Sequence, residues 1–191
     1  MINGQTNLIG LLGNPVSHSI SPVIQNAAIQ EMGLNWCYLA FPCKSDELEN
    51  LLKALISIGC KGLNVTIPHK EQVAQICEEL SPIAKRTGAV NTLIPTNKGG
   101  WLGTNTDVKG FVSAIENKNW SDKKALILGS GGSARAVGVG LQDLGFLQIK
   151  AMGRNKDTLN KFIKQVNKNK PDKTSSLKGL LISEIDLIEN I

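Results

Sequence analysis

Four apolar residues, Ala125–Leu128, run directly into Gly129-Ser-Gly-Gly-Ser-Ala134, and a helix-like pattern over 132–144 follows at once. Glycines at such a strand-to-helix junction permit a tight turn. They also let backbone N–H groups approach a pyrophosphate seated on the positive end of the helix. Placed between strand and helix, the pattern points to dinucleotide binding; the plainer reading is a glycine-rich turn. The end of the next strand, 148–152, separates the cofactors. Units that bind NAD carry an acid there for the ribose 2′-hydroxyl, whereas this chain has Gly153-Arg154-Asn155-Lys156. A guanidinium pairs bidentately with a 2′-phosphate and Lys156 adds a second positive charge, so the expected cofactor is NADP. The competing reading of 153–156 is a helix-capping loop with solvated charges.

The rest of the chain alternates in the same manner. Residues 7–12 read as a strand ending at Gly13-Asn14-Pro15, with Ser21 as N-cap of a helix from Pro22 to about Met32. Residues 36–41 read as a second strand. Leu48, Leu51, Leu52, Leu55 and Ile56 form the stripe of an amphipathic helix closed by Gly59. A third strand is expected over 61–67. A helix then carries Val73, Ile76, Cys77 and Leu80 on one face, and strands follow at 89–94 and 100–104. Beyond the glycine loop come a strand at 148–152, a helix at 157–167, a Lys-rich loop at 167–178 and a strand at 179–182. Such alternation predicts an α/β fold, a mainly parallel sheet covered by helices on both faces. The polar piece 116–124 marks the boundary. The expected organisation is a first α/β domain over 1–107, a linker helix or loop over 108–120, and a Rossmann-type domain, incomplete at two strands and part of a third, over 121–191.

Composition narrows the function classes. With 41% apolar and 19% charged residues in a chain of 191, a globular protein with a real core is expected. Only 4% of residues are aromatic, too few for a platform that stacks single-stranded nucleic acid, and no recognition motif accompanies the net charge of +5. The charge suits a solvated surface, with a milder bias toward carboxylates and phosphates. Four cysteines form no C-x-x-C pair and two histidines are too few for zinc, so no metal is expected. The cysteines sit among apolar residues, as reduced thiols of a cytoplasmic protein do. No signal peptide or membrane span is expected.

Polar residues of the first unit gather at strand C-terminal ends, where open α/β sheets hold ligands. Ser19 and Ser21 put two hydroxyls beside a helix N-terminus, an arrangement that suits a carboxylate; on this segment alone an ordinary Ser cap is the better reading. Thr66 and Lys70 flank Pro68, Asn91 and Thr92 lie in a strand, and Asn105-Thr106-Asp107 ends another. Lys70 and Asp107 are the candidates for acid–base work, since a lysine beside a carboxylate can exchange a proton with an alcohol. Each taken alone is more often a surface residue or a cap, and spacing does not show that they meet.

Gly13-Asn-Pro-Val-Ser-His-Ser-Ile-Ser-Pro22, Asn64-Val-Thr-Ile-Pro-His-Lys70, Gly88-Ala-Val-Asn-Thr92, Gly103-Thr-Asn-Thr-Asp107 and the glycine loop, in this order, resemble the motifs of shikimate dehydrogenases. The resemblance spans nearly all of residues 8–155. It implies an oxidoreductase of aromatic amino-acid biosynthesis, the chorismate route, that interconverts 3-dehydroshikimate with NADPH and shikimate with NADP. It further implies that Ser19 and Ser21 hold the substrate carboxylate, that Thr66, Asn91 and Asp107 bind ring hydroxyls, and that Lys70 donates and accepts the proton. Gly129, Ser130, Gly131, Gly132 and Ser133 then cradle the pyrophosphate, and Arg154, Asn155 and Lys156 form the 2′-phosphate region. The family usually has Asn-Arg-Thr where this chain has Gly-Arg-Asn, which keeps the arginine. It also continues past the position of Ile191 with further strands around the nicotinamide, a glutamine-bearing segment and a helix returning to the first domain. The resemblance therefore implies a chain shortened at its C-terminal side. Competing expectations are a quinate-using relative, another dehydrogenase of two-domain build, and a fragment that holds ligand without turnover. The expected partners are the small-molecule substrate and a second copy in a homodimer, with no nucleic acid and no membrane.

Overall fold

The computed structural model describes residues 2–168, 170–171 and 174–182. In chain order they form β1 (Asn7–Gly13), α1 (Ser21–Glu31), β2 (Trp36–Pro42), α2 (Leu48–Ser57), β3 (Gly62–Val65), α3 (Lys70–Ile76), β4 (Glu79–Leu80) and α4 (Pro82–Thr87). Then come β5 (Thr92–Pro95), β6 (Trp101–Thr104), α5 (Asp107–Ile115), β7 (Lys124–Leu128), α6 (Gly132–Asp143), β8 (Gln148–Gly153), α7 (Lys156–Lys168) and β9 (Leu177–Leu181).

The chain divides into two compact units. One is built from the residues up to Ser81 with Val90–Thr104, the other from Pro82–Ala89 with the chain from Asn105 onward. The boundary drawn from sequence composition, at 107 and 121, differs from this division: 82–89 and 105–120 pack with the second unit. Val108 explains why, being 4% exposed in the core of that unit, with Ile83, Phe111 and Val112 packed against the same cluster.

The first unit is a six-stranded sheet in the order β2-β1-β3-β5-β6-β4. Pairing is parallel for β2–β1, β1–β3 and β6–β4, and antiparallel for the hairpin β5–β6 and its junction with β3. Helix α1 covers one face, where Leu11, Val16, Ile29 and Tyr38 form a core with Ile9, Trp36 and Ala40 against it. On the opposite face α2 buries Leu48, Leu52 and Leu55, the stripe its periodicity announces. The Trp101 indole N–H donates to the Leu52 carbonyl at 3.1 Å, tying α2 to β6.

The second unit carries β7-β8-β9, parallel throughout. Its core joins Ile127, Ile149 and Ala151 of the strands to Ala136 and Val139 of α6 and Leu159, Phe162 and Val166 of α7. Parallel strand–helix–strand units of this type form one half of a dinucleotide fold.

Several local expectations give way. Ser21 is not the N-cap of α1 but its first residue; Ile20 holds the cap position without a side-chain bond. The Ser19 Oγ instead accepts the Ser21 N–H at 3.2 Å, so the hydroxyl two residues earlier closes the turn. Helix α3 stops at Ile76, because Cys77 turns to φ −58°, ψ 136° and Glu79–Leu80 pair with Leu102–Gly103 of β6. Leu80, placed by periodicity on a helix face, is therefore in a strand, and Pro82–Thr87 adds a helix. Asn91 precedes β5 rather than lying in it, and Asp107 opens α5.

Candidate functional site

In the first unit, β1 and β3 run parallel, so the loops that leave their C-terminal ends lie side by side. Three contacts hold them together. The Thr66 N–H donates to the Leu12 carbonyl at 2.8 Å and the Asn14 N–H to the Ile67 carbonyl at 2.9 Å. Gly13 supplies the third: a Cβ there would collide with the Thr66 methyl and lie 2.8 Å from Val16 Cγ1 and 3.0 Å from the Ile67 carbonyl. Close approach of the two loops thus requires the missing side chain. The Asn14–Pro15 and Ile67–Pro68 peptide bonds, one in each loop, are cis. Ser19 and Ser21 are both half-buried at the α1 end of the first loop.

The second loop delivers Thr66 and Lys70, both half-buried, with Lys70 the first residue of α3. Between them His69 is fully buried, its Nε2 2.8 Å from the Cys43 carbonyl. A carbonyl accepts only, so Nε2 carries the proton, and Nδ1 finds no partner among the described residues. Backbone bonds then bring in the third segment. The Val65 N–H donates to the Asn91 carbonyl at 2.8 Å, the Val90 N–H to the Lys70 carbonyl at 2.8 Å, and the Asn91 N–H to the Thr104 carbonyl at 3.0 Å. Asn91 is 8% exposed, and its Oδ1 accepts the Thr92 hydroxyl at 2.9 Å. Ser19, Ser21, Thr66, Lys70 and Asn91, from three stretches of sequence, thus meet at one end of one sheet. Hydroxyls, an ammonium and a carboxamide at a helix N-terminus can hold a polyhydroxylated carboxylate and move a proton.

Asp107 belongs to the second unit, where it is half-buried as the first residue of α5. Its N–H donates to Asn105 Oδ1 at 3.0 Å, and Asn105, 3% exposed, donates through Nδ2 to the Ala89 carbonyl at 2.9 Å. Asn105 is thus a fixed polar support two residues before the acid, one that the sequence marked only as part of a strand end.

The glycine loop joins β7 to α6. Gly129 has φ +111°, a conformation that L side chains rarely adopt, and its N–H donates to the Met152 carbonyl at 2.8 Å. Gly131 takes the cap position of α6, which has no side-chain cap, so Ser130 and Ser133 leave the helix amides open. Among the described residues, chain neighbours apart, no atom lies within 4 Å of a Cβ built on Gly129 or Gly131. An uncapped helix end with open space beside its glycines fits a pyrophosphate. At the end of β8, Arg154 and Lys156 are exposed and able to meet a phosphate. Asn155 instead serves the helix that follows. Its Oδ1 accepts the N–H of Asp157 and of Thr158, each at 3.0 Å, capping α7.

The four cysteines are free thiols. Burial pushes Cys77 up to about 11 and raises Cys60; for Cys43, burial leads and the carboxylates of Glu47 and Asp46 add to it. Among the described residues no cluster of His, Cys, Asp or Glu could hold a metal ion, and no helix is long and apolar enough to cross a membrane.

Comparison with known proteins identifies the chain's relatives. Residues 11–93 match the family described as the shikimate dehydrogenase substrate binding domain. Shikimate dehydrogenase (NADP(+)) of Prochlorococcus marinus (strain MIT 9301) is 47% identical over 195 residues, covering 100% of this chain and 68% of the relative. Among solved structures, shikimate dehydrogenase from Aquifex aeolicus superposes with a TM-score of 0.81 at 36% identity, covering 94% of this chain and 64% of that one. A shikimate dehydrogenase in complex with NADP+ gives a TM-score of 0.80 at 33% identity, covering 100% of this chain and 71% of that one. The chain thus spans about two thirds of the length of the relatives it matches.

Proposed function

Because the chain belongs to the shikimate dehydrogenase family, we propose that its first unit binds shikimate or 3-dehydroshikimate, that its second binds NADP, and that the protein interconverts the two acids as a cytoplasmic oxidoreductase of aromatic amino-acid biosynthesis. The observation that carries this reading is the convergence of Ser19, Ser21, Thr66, Lys70 and Asn91 at one end of the six-stranded sheet. That end is where α/β sheets hold ligands.

Ser19 and Ser21 hold the substrate carboxylate through their hydroxyls, with the amino end of α1 adding its partial positive charge. Thr66 and Asn91 bind ring hydroxyls, a role that the resemblance also gives to Asp107. When bound, NADPH supplies a hydride from nicotinamide C4. Lys70 then delivers a proton from Nζ to the carbonyl oxygen as it becomes an alkoxide, and in the reverse direction it accepts the alcohol proton. Gly129, Ser130, Gly131, Gly132 and Ser133 hold the pyrophosphate against the start of α6. Arg154 reads the 2′-phosphate with Lys156 as a second charge, while Asn155 keeps the turn in shape. These residue roles follow the family resemblance.

Calorimetric titration of the 191-residue chain with shikimate, quinate, NADP and NAD tests the assignment. Shikimate and NADP should bind in preference to quinate and NAD, and Ser19→Ala should weaken shikimate alone. Equal affinity for all four ligands, or none for shikimate, refutes it.

A further inference from the structure

Asn26 is the sixth residue of α1, where helix propensity favours the alanines that follow it at 27 and 28. Its carboxamide is used three times. Nδ2 donates to the Pro22 carbonyl at 2.8 Å and to the Tyr38 carbonyl at 2.8 Å, and Oδ1 accepts the Tyr38 N–H at 2.9 Å. Tyr38 lies in the middle of β2, the edge of the sheet, and is 2% exposed. The side-chain amide therefore gives the outer edge of β2 the donor and acceptor that a further strand would have given it. In the second unit Asn167 of α7 does the same for β9, pairing with the Leu177 N–H at 2.8 Å and its carbonyl at 2.9 Å.

What the two clamps hold differs. Asn167 grips the last turn of α7, remote in sequence from every candidate site residue. Asn26 grips Pro22, the residue after Ser21, and fixes it on the sheet. A planar carboxylate needs two hydroxyls at a set separation and direction, and rocking of the first turn of α1 would move Ser21 relative to Ser19 and the loop that Gly13 holds against Thr66. We infer that Asn26 is a positioning residue for carboxylate recognition: it touches no substrate and acts by holding Ser19 and Ser21 in register with the sheet. The inference rests on the reading of those serines as the carboxylate holders.

The test is calorimetric titration of the 191-residue chain with shikimate and with its neutral carboxamide analogue. Asn26→Ala should weaken shikimate about tenfold, the scale of a modest misplacement of binding groups, and leave the analogue within about twofold, so that the preference for the acid shrinks. Asn26→Asp keeps the acceptor for the Tyr38 N–H, loses both donors, and should fall between; it provides the same comparison if the alanine variant does not fold. Asn167→Ala should lower thermal stability and leave the preference intact. Equal losses for acid and amide, or an unchanged preference in both Asn26 variants, overturn the inference. If Ser19→Ala leaves shikimate affinity unaltered, the reading of the serines fails instead, and the inference falls with it.

Discussion

Replacing Gly13 by alanine probes the contact on which the candidate site depends. The added methyl meets the Thr66 methyl, Val16 Cγ1 at 2.8 Å and the Ile67 carbonyl at 3.0 Å, the last a backbone atom. Neither loop can step aside freely, because the Thr66 and Asn14 amides are bonded across the gap at 2.8 and 2.9 Å. Overpacking by one methyl costs about 1–3 kcal/mol, and with a backbone oxygen among the collisions about 2 kcal/mol is the fair working value. For a unit of this size that corresponds to a fall of roughly 8–16 °C in Tm, since 1 kcal/mol shifts a domain of 60–100 residues by roughly 4–8 °C. Shikimate affinity should fall at least as far as stability, because the methyl separates the serine loop from Thr66. NADP affinity should hold. Gly4 is the control: among the described residues, chain neighbours apart, no atom lies within 4 Å of its added Cβ, so Gly4→Ala should leave Tm and shikimate binding unchanged. Thermal denaturation by circular dichroism and titration with shikimate measure both effects. A Gly13→Ala protein with native Tm and native shikimate affinity would show that the two loops do not pack as described.

Further outcomes follow from the same geometry. Lys70→Ala should lower kcat for shikimate oxidation by about 10²-fold or more while substrate affinity changes much less, the pattern of a general acid–base group; near-native turnover would remove Lys70 from the chemistry. Arg154→Ala should weaken NADP by about 1.5–3 kcal/mol and leave NAD nearly untouched, which titration with both cofactors checks. Asn155→Ala removes the cap of α7 and should cost about 0.5–2 kcal/mol of stability in denaturant unfolding, with pyrophosphate binding at the glycine loop unaffected. Burial holds the Tyr38 phenol at about 12 and the Cys77 thiol at about 11, above the ordinary 10.0 and 9.0. Their stabilising contributions are complete below the ordinary values and disappear as pH rises through the folded ones, so stability should fall between pH 9 and 12. Tyr38→Phe should flatten the upper part of that fall, and an unchanged profile would place the loss elsewhere.

The regular elements were legible wherever one physical period ran unbroken. The leucine stripe of α2, the glycine loop between β7 and α6, and the arginine after β8 each express a local rule, and each stands where that rule puts it. The failures share a different cause. Val73, Ile76, Cys77 and Leu80 satisfy helical spacing, yet Glu79–Leu80 pair with β6, twenty-odd residues further along, and that pairing ends α3 at Ile76. Ser21 has the residue type of an N-cap, yet Ser19 closes the turn, because the chain leaves β1 against the Thr66 loop and enters α1 one residue sooner. Asn26 and Asn105 carried no signal, since a carboxamide in a helix or after a strand is ordinary until its partners across the fold are known. Bonds between distant segments are invisible to periodicity, and they are what the substrate end of the sheet is made of.

The two units reach their ligands by different physical routes. The glycine loop is a local device: one strand, one turn and one helix end supply positive φ, open amides and a dipole within a few consecutive residues, so a sequence pattern can specify it. The proposed substrate end is assembled from three stretches, and none of its polar residues is distinctive alone. Its specification lies in the constraints that press those stretches together: no side chain at Gly13, the Val65–Asn91 and Lys70–Val90 bonds, and the hold of Asn26 on Tyr38. A serine, a threonine and a lysine on flexible loops would each be solvated and would bind a small acid weakly, because ordering them on binding costs the entropy that rigid loops have already lost. The long motifs around these residues are thus the imprint of packing as much as of chemistry. On the proposed reading, Gly13 and Asn26 serve the recognition of the acid even though neither presents a group to it.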